Sequence, residues 1–300
     1  MSPDTIGKLL ALTCAFVWAF AVILFKRSGE TMSPLALNLY KTSIAGLTIF
    51  PLWLLTEPEL IPSTLSSADL GLLAISGILG ITIADSLFFF CLNRVGAGYY
   101  AILDCIYSPS MIALSWLMLD EPFSLRHVAG AGLVISGVLL VSFDQKTVRR
   151  LPVKIWIQGA SAGLAGILLM VFSIILVKPL LDTHSAVLIV ECRMLPAIVG
   201  LHLIALFRKE RWQLYRSLIR KRAFILALPG TLLGNVISML TWVAAFKYTD
   251  LGSASILNQT SVIFVVILAA IFLKETLDRQ RIIATILGFA GSVVILGGCL

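Results

Sequence analysis

The second half of this chain repeats the first half. When the sequence is shifted by 154 positions, the separation of Glu121 and Glu275, identical residues coincide at intervals along both halves. A shift of 152 positions also places one cation, Lys41, on another, Arg193. These matches indicate an internal duplication, and we expect the two units to occupy residues 1–148 and 149–300. The coinciding pairs include Gly80 and Gly234, Gly98 and Gly252, Leu103 and Leu257, Leu119 and Leu273, and Gly137 and Gly291.

Each unit contains five apolar runs. The chain is 59% hydrophobic and 13% charged, whereas soluble domains are about 45–50% apolar and about 25% charged. A run of about 20 apolar residues crosses the hydrocarbon core of a bilayer, roughly 30 Å, as a helix. The sequence therefore predicts ten spans, at residues 6–25, 35–55, 70–92, 100–119, 128–143, 156–177, 186–207, 223–246, 253–273 and 282–300.

Helices are the form that these runs can take in lipid. Backbone amides in hydrocarbon must be satisfied within the segment, and the runs lack the alternation of a lipid-facing barrel. The sequence predicts an all-α polytopic membrane protein of ten transmembrane helices, with the first run retained as a span. Because five is odd, the two repeats must be inverted relative to each other in the membrane, an arrangement typical of secondary transporters.

The net charge of +7 is concentrated in loops. Basic residues cluster at 146–154 and at 208–222, two loops that an even number of spans separates and that therefore lie on one side. Such clusters meet anionic lipid head groups on the cytoplasmic side, and we expect no nucleic-acid partner. With ten spans, this count places both termini outside.

Two stretches at matched spacing resemble a known signature. Residues 97–103, then the sequence LMLDEPFS at 117–124, and then glycines through Gly137 resemble the EamA-type transporters of the drug/metabolite transporter superfamily. The stretch from Gly252 through Glu275 to Gly291 is similar to a second copy. The resemblance implies a permease of two inverted five-helix repeats, with a central cavity and alternating access. It also implies cytoplasmic termini, in conflict with the loop charges, so the orientation stays open.

Charged residues within the spans are the first candidates for substrate binding or coupling. An isolated charge at a helix centre costs about 2.5–3.5 kcal/mol on insertion scales. Each such residue therefore needs an ion-pair partner, a ligand or a proton. Glu191 and Arg193 are two positions apart and point to different sides of their helix. Glu121 and Glu275, by contrast, fall at helix ends, where we expect capping or contacts between loops.

Polar and aromatic residues of the spans complete the candidate site. Asn and Gln within a span can instead hydrogen-bond neighbouring helices, and the aromatic residues can equally serve the interfacial belt or the core. Of the carboxylates, Asp85 and Glu191 are our candidates for carrying a coupling proton. The predicted substrate-binding or coupling residues are Trp18, Tyr40, Lys41, Asp85, Tyr99, Asp104, Glu191, Arg193, Asn235, Trp242, Asn258 and Gln259.

No cluster predicts a catalytic centre, a metal site or a cofactor, and the chain lacks the GxxxxGK[ST] sequence of a nucleotide-driven pump. We expect a secondary-active permease in a bacterial inner (plasma) membrane, exporting small metabolites such as amino acids or related amphiphilic compounds, with protons as a candidate coupling ion. Interior charges of both signs would suit a zwitterion. The alternatives are a multidrug or nucleotide-sugar-like carrier and an integral membrane lipid-modifying enzyme. The sequence assigns no oligomeric state.

Overall fold

Ten helical rods account for most of the chain. The computed structural model describes residues 2–57, 59, 61–120, 125–142, 152–221, 223–249 and 251–296, and within these ranges it contains no strand. The first repeat comprises α1 (Pro3–Ser28), α2 (Pro34–Thr56), α3 (Ser67–Val95), α4 (Ala97–Leu119) and α5 (Leu125–Ser142). The second comprises α6 (Val153–Thr183), α7 (Ala186–Leu206), α8 (Ala223–Tyr248), α9 (Leu251–Asn258 and Thr260–Leu273) and α10 (Arg279–Leu296).

Each of the ten predicted spans overlaps one of these rods over the residues that the structure describes. Seven of the rods, α1 to α4 and α6 to α8, are long and apolar enough to cross a membrane by themselves. The outer surface is apolar as well, with Leu55, Phe207 and Leu47 between 71% and 88% exposed. Such a surface is stable only against lipid, so the chain is an integral, multi-pass membrane protein.

Contacts between helix ends place successive rods in alternating directions. Thr249, at the end of α8, donates a hydrogen bond of 2.6 Å to Asp4 at the start of α1. At the opposite end of the bundle, Lys26 Nζ at the end of α1 donates to the carbonyl oxygen of Leu92, near the end of α3, at 2.7 Å. When successive rods cross the bundle in alternating directions, the two helix ends that each contact joins lie at the same face of the bundle.

The two repeats begin and end equivalent helices in the same way. Ser33 and Ser185, which are 152 positions apart, cap α2 and α7 through their hydroxyl oxygens, which accept backbone hydrogen bonds of 3.3 and 3.1 Å. Asp120 and Lys274, which are 154 positions apart, end α4 and α9 in the left-handed conformation, with φ of 54° and 55°. The duplication seen in the sequence is therefore a duplication of local structure.

Equivalent helices also depart from regular geometry at equivalent positions. Within α3 the backbone widens into π-helical turns over Ile78–Ala84, and within α8 it does so over Leu232–Ser238. These two segments coincide under the shift of 154, whereas a further π-helical stretch at the start of α8, Ala223–Ala227, has no counterpart in α3. The helix also breaks after Asp104 in α4 and after Asn258 in α9. Such wide turns and breaks within a span are frequent at functional sites.

Glycines allow the rods to cross closely. A methyl group added at Gly163 of α6 would lie 2.7 Å from the sulfur of Cys91 in α3. One added at Gly291 of α10 would lie 2.5 Å from the carbonyl oxygen of Gly130 in α5. Since lipid tails are as apolar as the side chains, close van der Waals packing of this kind is the main force between helices in a membrane.

Candidate functional site

A cavity of about 120 Å³ lies between the two repeats. It is lined by residues of α1, α2, α3 and α4 from the first repeat and of α6, α8 and α9 from the second. Seven of the twelve predicted site residues line it: Trp18, Lys41, Asp85, Asp104, Asn235, Trp242 and Asn258.

A buried ion pair forms part of the first-repeat wall. Lys41 Nζ of α2 donates to Asp85 Oδ2 of α3 at 2.5 Å, and the two residues are 2% and 8% exposed. Arg193 adds a second positive charge to the surroundings of Asp85. This is one of the neutralising pairs expected for the charged residues within the spans.

The π-helical turns of α3 place Asp85 at the cavity. Asp85 is the first residue after these turns, whose wider spacing changes which side of the rod each following residue faces. Asn38 of α2 supports the distorted backbone, because its Nδ2 donates to the carbonyl oxygens of Ile81 and Thr82 at 2.8 and 3.3 Å. A backbone distortion inside a membrane persists only when neighbours satisfy its polar groups in this way.

The π-helical turns of α8 supply the facing wall. Asn235 and Ser238 line the cavity from within these turns, and Trp242 lies one turn further along α8. Both polar residues are buried, and Asn235 Oδ1 and Ser238 Oγ have no hydrogen-bond partner in the part of the chain that the structure describes. Trp242 Nε1 donates to the hydroxyl of Tyr107 at 3.2 Å. This wall therefore offers the cavity unpaired oxygen atoms.

The breaks in α4 and α9 meet beside the cavity. Asp104 is the last residue before the break in α4, and its repeat equivalent, Asn258, is the last before the break in α9. Gln259 Nε2 donates to the backbone carbonyl oxygen of Asp104 at 2.9 Å and so joins the two breaks. The carboxylate of Asp104 accepts a hydrogen bond of 3.1 Å from the hydroxyl of Tyr100, one turn earlier in α4.

Five of the predicted site residues lie outside the cavity lining: Tyr40, Tyr99, Glu191, Arg193 and Gln259. Glu191 is fully buried towards α2, near Gly46, and neither of its carboxylate oxygens has a hydrogen-bond partner among the described residues. Arg193 is fully buried towards α3 and α6 and donates to Ser173 Oγ at 3.2 Å. The two side chains therefore enter different helix interfaces, as their spacing indicated. A role in coupling stays a prediction for both.

The remaining residues of this group have structural contacts. Tyr99 lies under the guanidinium of Arg281, whose Cζ is 3.9 Å from the ring centroid. Gln259 joins the helix breaks. Tyr40 is 5% exposed, and no residue that the structure describes forms a hydrogen bond with its hydroxyl group. Their proposed roles in substrate binding also stay predictions.

Sequence reasoning missed part of the lining. Tyr100, Phe88, Met170 and Met239 line the cavity but were not among the predicted residues. Tyr100 could have been found, because it precedes Asp104 by four positions and so lies on the same helix face. Met239 could also have been found, since it is the repeat equivalent of Asp85.

Glu275 contacts a helix end, as we expected from its position in the sequence. Glu275, just beyond α9, accepts hydrogen bonds from the backbone N–H groups of Ala97 and Gly98 at 2.9 and 3.1 Å. Its equivalent Glu121 lies outside the described residues, as do positions 146–150 and 222 of the basic loop clusters.

Comparisons with known proteins agree with this architecture. The model of the EamA-like transporter family matches residues 5–143 and again residues 157–297. The chain is 24% identical over 278 residues to a protein of Archaeoglobus fulgidus described as an uncharacterized transporter, covering 91% of this chain and 92% of that protein. A solved crystal structure shares the fold with a TM-score of 0.66, at 15% identity over 96% of this chain and 95% of the other.

Proposed function

The chain belongs to the EamA-like transporter family, within the drug/metabolite transporter superfamily, and from that premise we propose that it is a secondary-active permease. It carries small metabolites, such as amino acids or related amphiphilic compounds, out of the cell by alternating access. Its setting is a bacterial inner (plasma) membrane. The observation that carries the proposal is the cavity between the repeats, which polar, charged and aromatic residues from both repeats line.

The position of the cavity supports a transport pathway. In transporters built from inverted repeats, substrate sites lie at the repeat interface near the middle of the bilayer, where helices are discontinuous. The breaks after Asp104 and Asn258 fall beside the cavity, and the two π-helical segments border it. Irregular backbone at membrane depth is tolerated where it lines such a cavity.

Rigid rods that meet around this cavity can rock against each other. The glycine contact between α3 and α6 brings a rod of one repeat close against a rod of the other. In the proposed cycle, one repeat tilts relative to the other, closing the cavity on one side of the membrane and opening it on the other.

The ion pair of Lys41 and Asp85 is the candidate coupling element at the cavity. A carboxylate that loses its cation partner in a low-dielectric site is stabilised by a proton. Separation of the pair during the cycle would therefore let Asp85 take up a proton on one side and release it on the other. Glu191 is the second candidate, from a buried position behind the cavity wall.

Reconstituted transport tests the proposal. Purified protein in proteoliposomes is assayed for counterflow of labelled amino acids and related metabolites, with and without an imposed pH gradient, for the wild type, Asp85→Asn and Glu191→Gln. Asp182→Asn, a change at a half-exposed carboxylate, is the matched control. We expect flux that the gradient accelerates and that loses this acceleration in one of the two variants.

Each of the other outcomes would correct a different part of the proposal. If the flux is independent of the pH gradient in the wild type and in every variant, the protein would still be a permease, but proton coupling through these carboxylates would be excluded. If the whole panel shows no counterflow, although a thermal unfolding transition demonstrates that the protein is folded, the result would count against the proposed substrates and favour the lipid-modifying alternative.

A further inference from the structure

One carboxyl group at the cavity has no ion-pair partner among the described residues. The basic and acidic side chains of the lining are Lys41, Asp85 and Asp104, and Lys41 pairs with Asp85 at 2.5 Å. The third, Asp104, accepts one hydrogen bond, from Tyr100, and forms no ion pair with any residue that the structure describes. A carboxyl group within a membrane span is stabilised by a cationic partner or by a proton. Asp104 therefore remains available to pair with a cation that enters the cavity.

Other unpaired oxygen atoms at the cavity can also accept hydrogen bonds. Among the described residues, Asn235 Oδ1, Ser238 Oγ and Asn258 Oδ1 have no hydrogen-bond partner. Asn258 is the repeat equivalent of Asp104 in sequence position. An ammonium group carries donors only and can satisfy a carboxylate and two amide oxygens at once. These oxygen atoms are therefore suited to a donor-rich, positively charged group.

The broken helices bring two of these residues to the same part of the cavity. The segments Ala97–Asp104 and Leu251–Asn258 each end at a residue that lines the cavity. Gln259, next to Asn258, donates through Nε2 to the backbone carbonyl oxygen of Asp104 at 2.9 Å, so the two breaks are adjacent.

Aromatic rings surround the rest of the space. Trp18 and Phe88 have ring centroids 5.7 Å apart, Phe88 and Tyr100 4.6 Å apart, and Tyr107 and Trp242 6.5 Å apart. All five line the cavity. Aromatic faces attract organic cations and also pack against apolar groups.

We propose that Asp104, Asn235 and Asn258 form a subsite for the ammonium group of the substrate, with the aromatic rings holding its apolar body. The substrate class is an amphiphilic primary amine, either a simple amine or an amino acid bound through its amino end. The inference rests on the proposed function, because it assigns a substrate class to the same cavity.

Three small molecules that share a phenyl ring test the subsite. Phenethylamine carries a cationic group, 3-phenylpropionate an anionic group and 2-phenylethanol a neutral group. Their binding to the purified full-length protein is measured by calorimetry. A charge-assisted hydrogen bond is worth about 1.5–3 kcal/mol, so we expect phenethylamine to bind about tenfold to a hundredfold more tightly than the other two probes.

Asp104→Asn removes the charge at nearly constant shape. This variant should lose the preference for phenethylamine and leave binding of 2-phenylethanol within about twofold, since no charged hydrogen bond is involved there. Asp182→Asn, remote from the cavity, should behave as the wild type. If Asp104→Asn fails to fold, Asn235→Leu provides the second test, since it removes one neutral acceptor and should weaken amine binding alone, by about fivefold.

The results separate the subsite from the permease. Equal affinity for the three probes, or unchanged amine binding in both variants, would overturn the ammonium subsite even if counterflow of another solute is observed. Selective amine binding that depends on Asp104, without counterflow of either labelled phenethylamine or the metabolite panel in proteoliposomes, would support the subsite and overturn the proposed permease. Tighter binding of phenylalanine than of phenethylamine, still lost in Asp104→Asn, would support the subsite and identify amino acids as the class.

Discussion

The carboxylate of Glu275 accepts a hydrogen bond of 2.9 Å from the backbone N–H of Ala97, the first residue of α4. Glu275 belongs to the second repeat and Ala97 to the first, so this bond joins the repeats at one face of the bundle. The same carboxylate pairs with Arg281 at 3.3 Å. An anion at the start of a helix satisfies N–H groups that have no partner within the helix and complements the helix dipole.

Removing this cap should loosen the junction between the repeats. Glu275→Ala leaves two backbone N–H groups without their acceptor and removes the carboxylate partner of the buried Arg281, which keeps the carbonyl oxygen of Thr276 as an acceptor. We expect the free energy of unfolding to fall by about 1–3 kcal/mol. Thermal unfolding in detergent measures the change. Glu210→Ala, at an exposed glutamate whose side chain caps no helix end, is the matched control. Equal stability of the two variants would contradict a structural role for Glu275.

The close approach of α3 and α7 can be tested by adding a single methyl group between them. A Cβ added at Gly77 would lie 2.0 Å from the carbonyl oxygen of Arg193, a backbone atom that cannot swing aside. Gly77→Ala should therefore lower the unfolding temperature by several degrees or prevent folding. At Gly71, in the same helix, an added Cβ meets nothing within 4 Å, so Gly71→Ala should leave stability unchanged or slightly higher because alanine favours helix. Similar unfolding temperatures for the two variants would show that the helices are further apart.

The ion pair at the cavity predicts a specific pattern of non-additivity. Breaking a buried pair from one side costs about 3–5 kcal/mol because an uncompensated charge remains. Asp85→Asn should be worse than Lys41→Met, since it leaves Lys41 beside the charge of Arg193. The double variant should be more stable than Asp85→Asn alone.

Unfolding of the four proteins under one set of conditions measures this coupling. Strictly additive losses would mean that Lys41 and Asp85 do not depend on each other. In that case the pair could not serve as the coupling element.

The fold could be predicted from the sequence because duplication and hydropathy are local, countable properties. Ten apolar runs became ten helices, and the shift of 154 that aligns Gly80 with Gly234 also aligns the two π-helical segments. The wide turns themselves had no signal in composition or periodicity, since they depend on partners such as Asn38 in another helix. The boundary expected at residue 148 stays a prediction, because it lies outside the described residues.

The site was predicted less completely, for a physical reason. A charge within a span indicates that a partner exists, but the rotation of its helix decides which partner. Asp85 and Glu191 looked alike in sequence, yet Asp85 faces Lys41 and the cavity, whereas Glu191 faces α2 near Gly46. The repeat gave better guidance, because Asp104 and its equivalent Asn258 both line the cavity.

The distribution of charge over the two ends of the bundle predicts its orientation. The end that holds the carboxyl end of α1 also holds the basic loop between α7 and α8, including Arg208, Lys209 and Arg220. The opposite end holds acidic residues such as Asp4 and Glu57. Since basic loops stay on the cytoplasmic side, we expect the basic end inside the cell and the N-terminus outside.

A single cysteine at each end decides between this orientation and the cytoplasmic termini that the family likeness implies. In a background without native cysteines, Lys209→Cys places a thiol in the exposed basic loop, and Ser2→Cys places one at the N-terminus. A membrane-impermeant maleimide applied to intact cells should label Ser2→Cys at once and Lys209→Cys only after permeabilisation. The reverse pattern would show that the basic loop faces outward, so that this chain departs from the charge rule and export would run from the N-terminal end of α1.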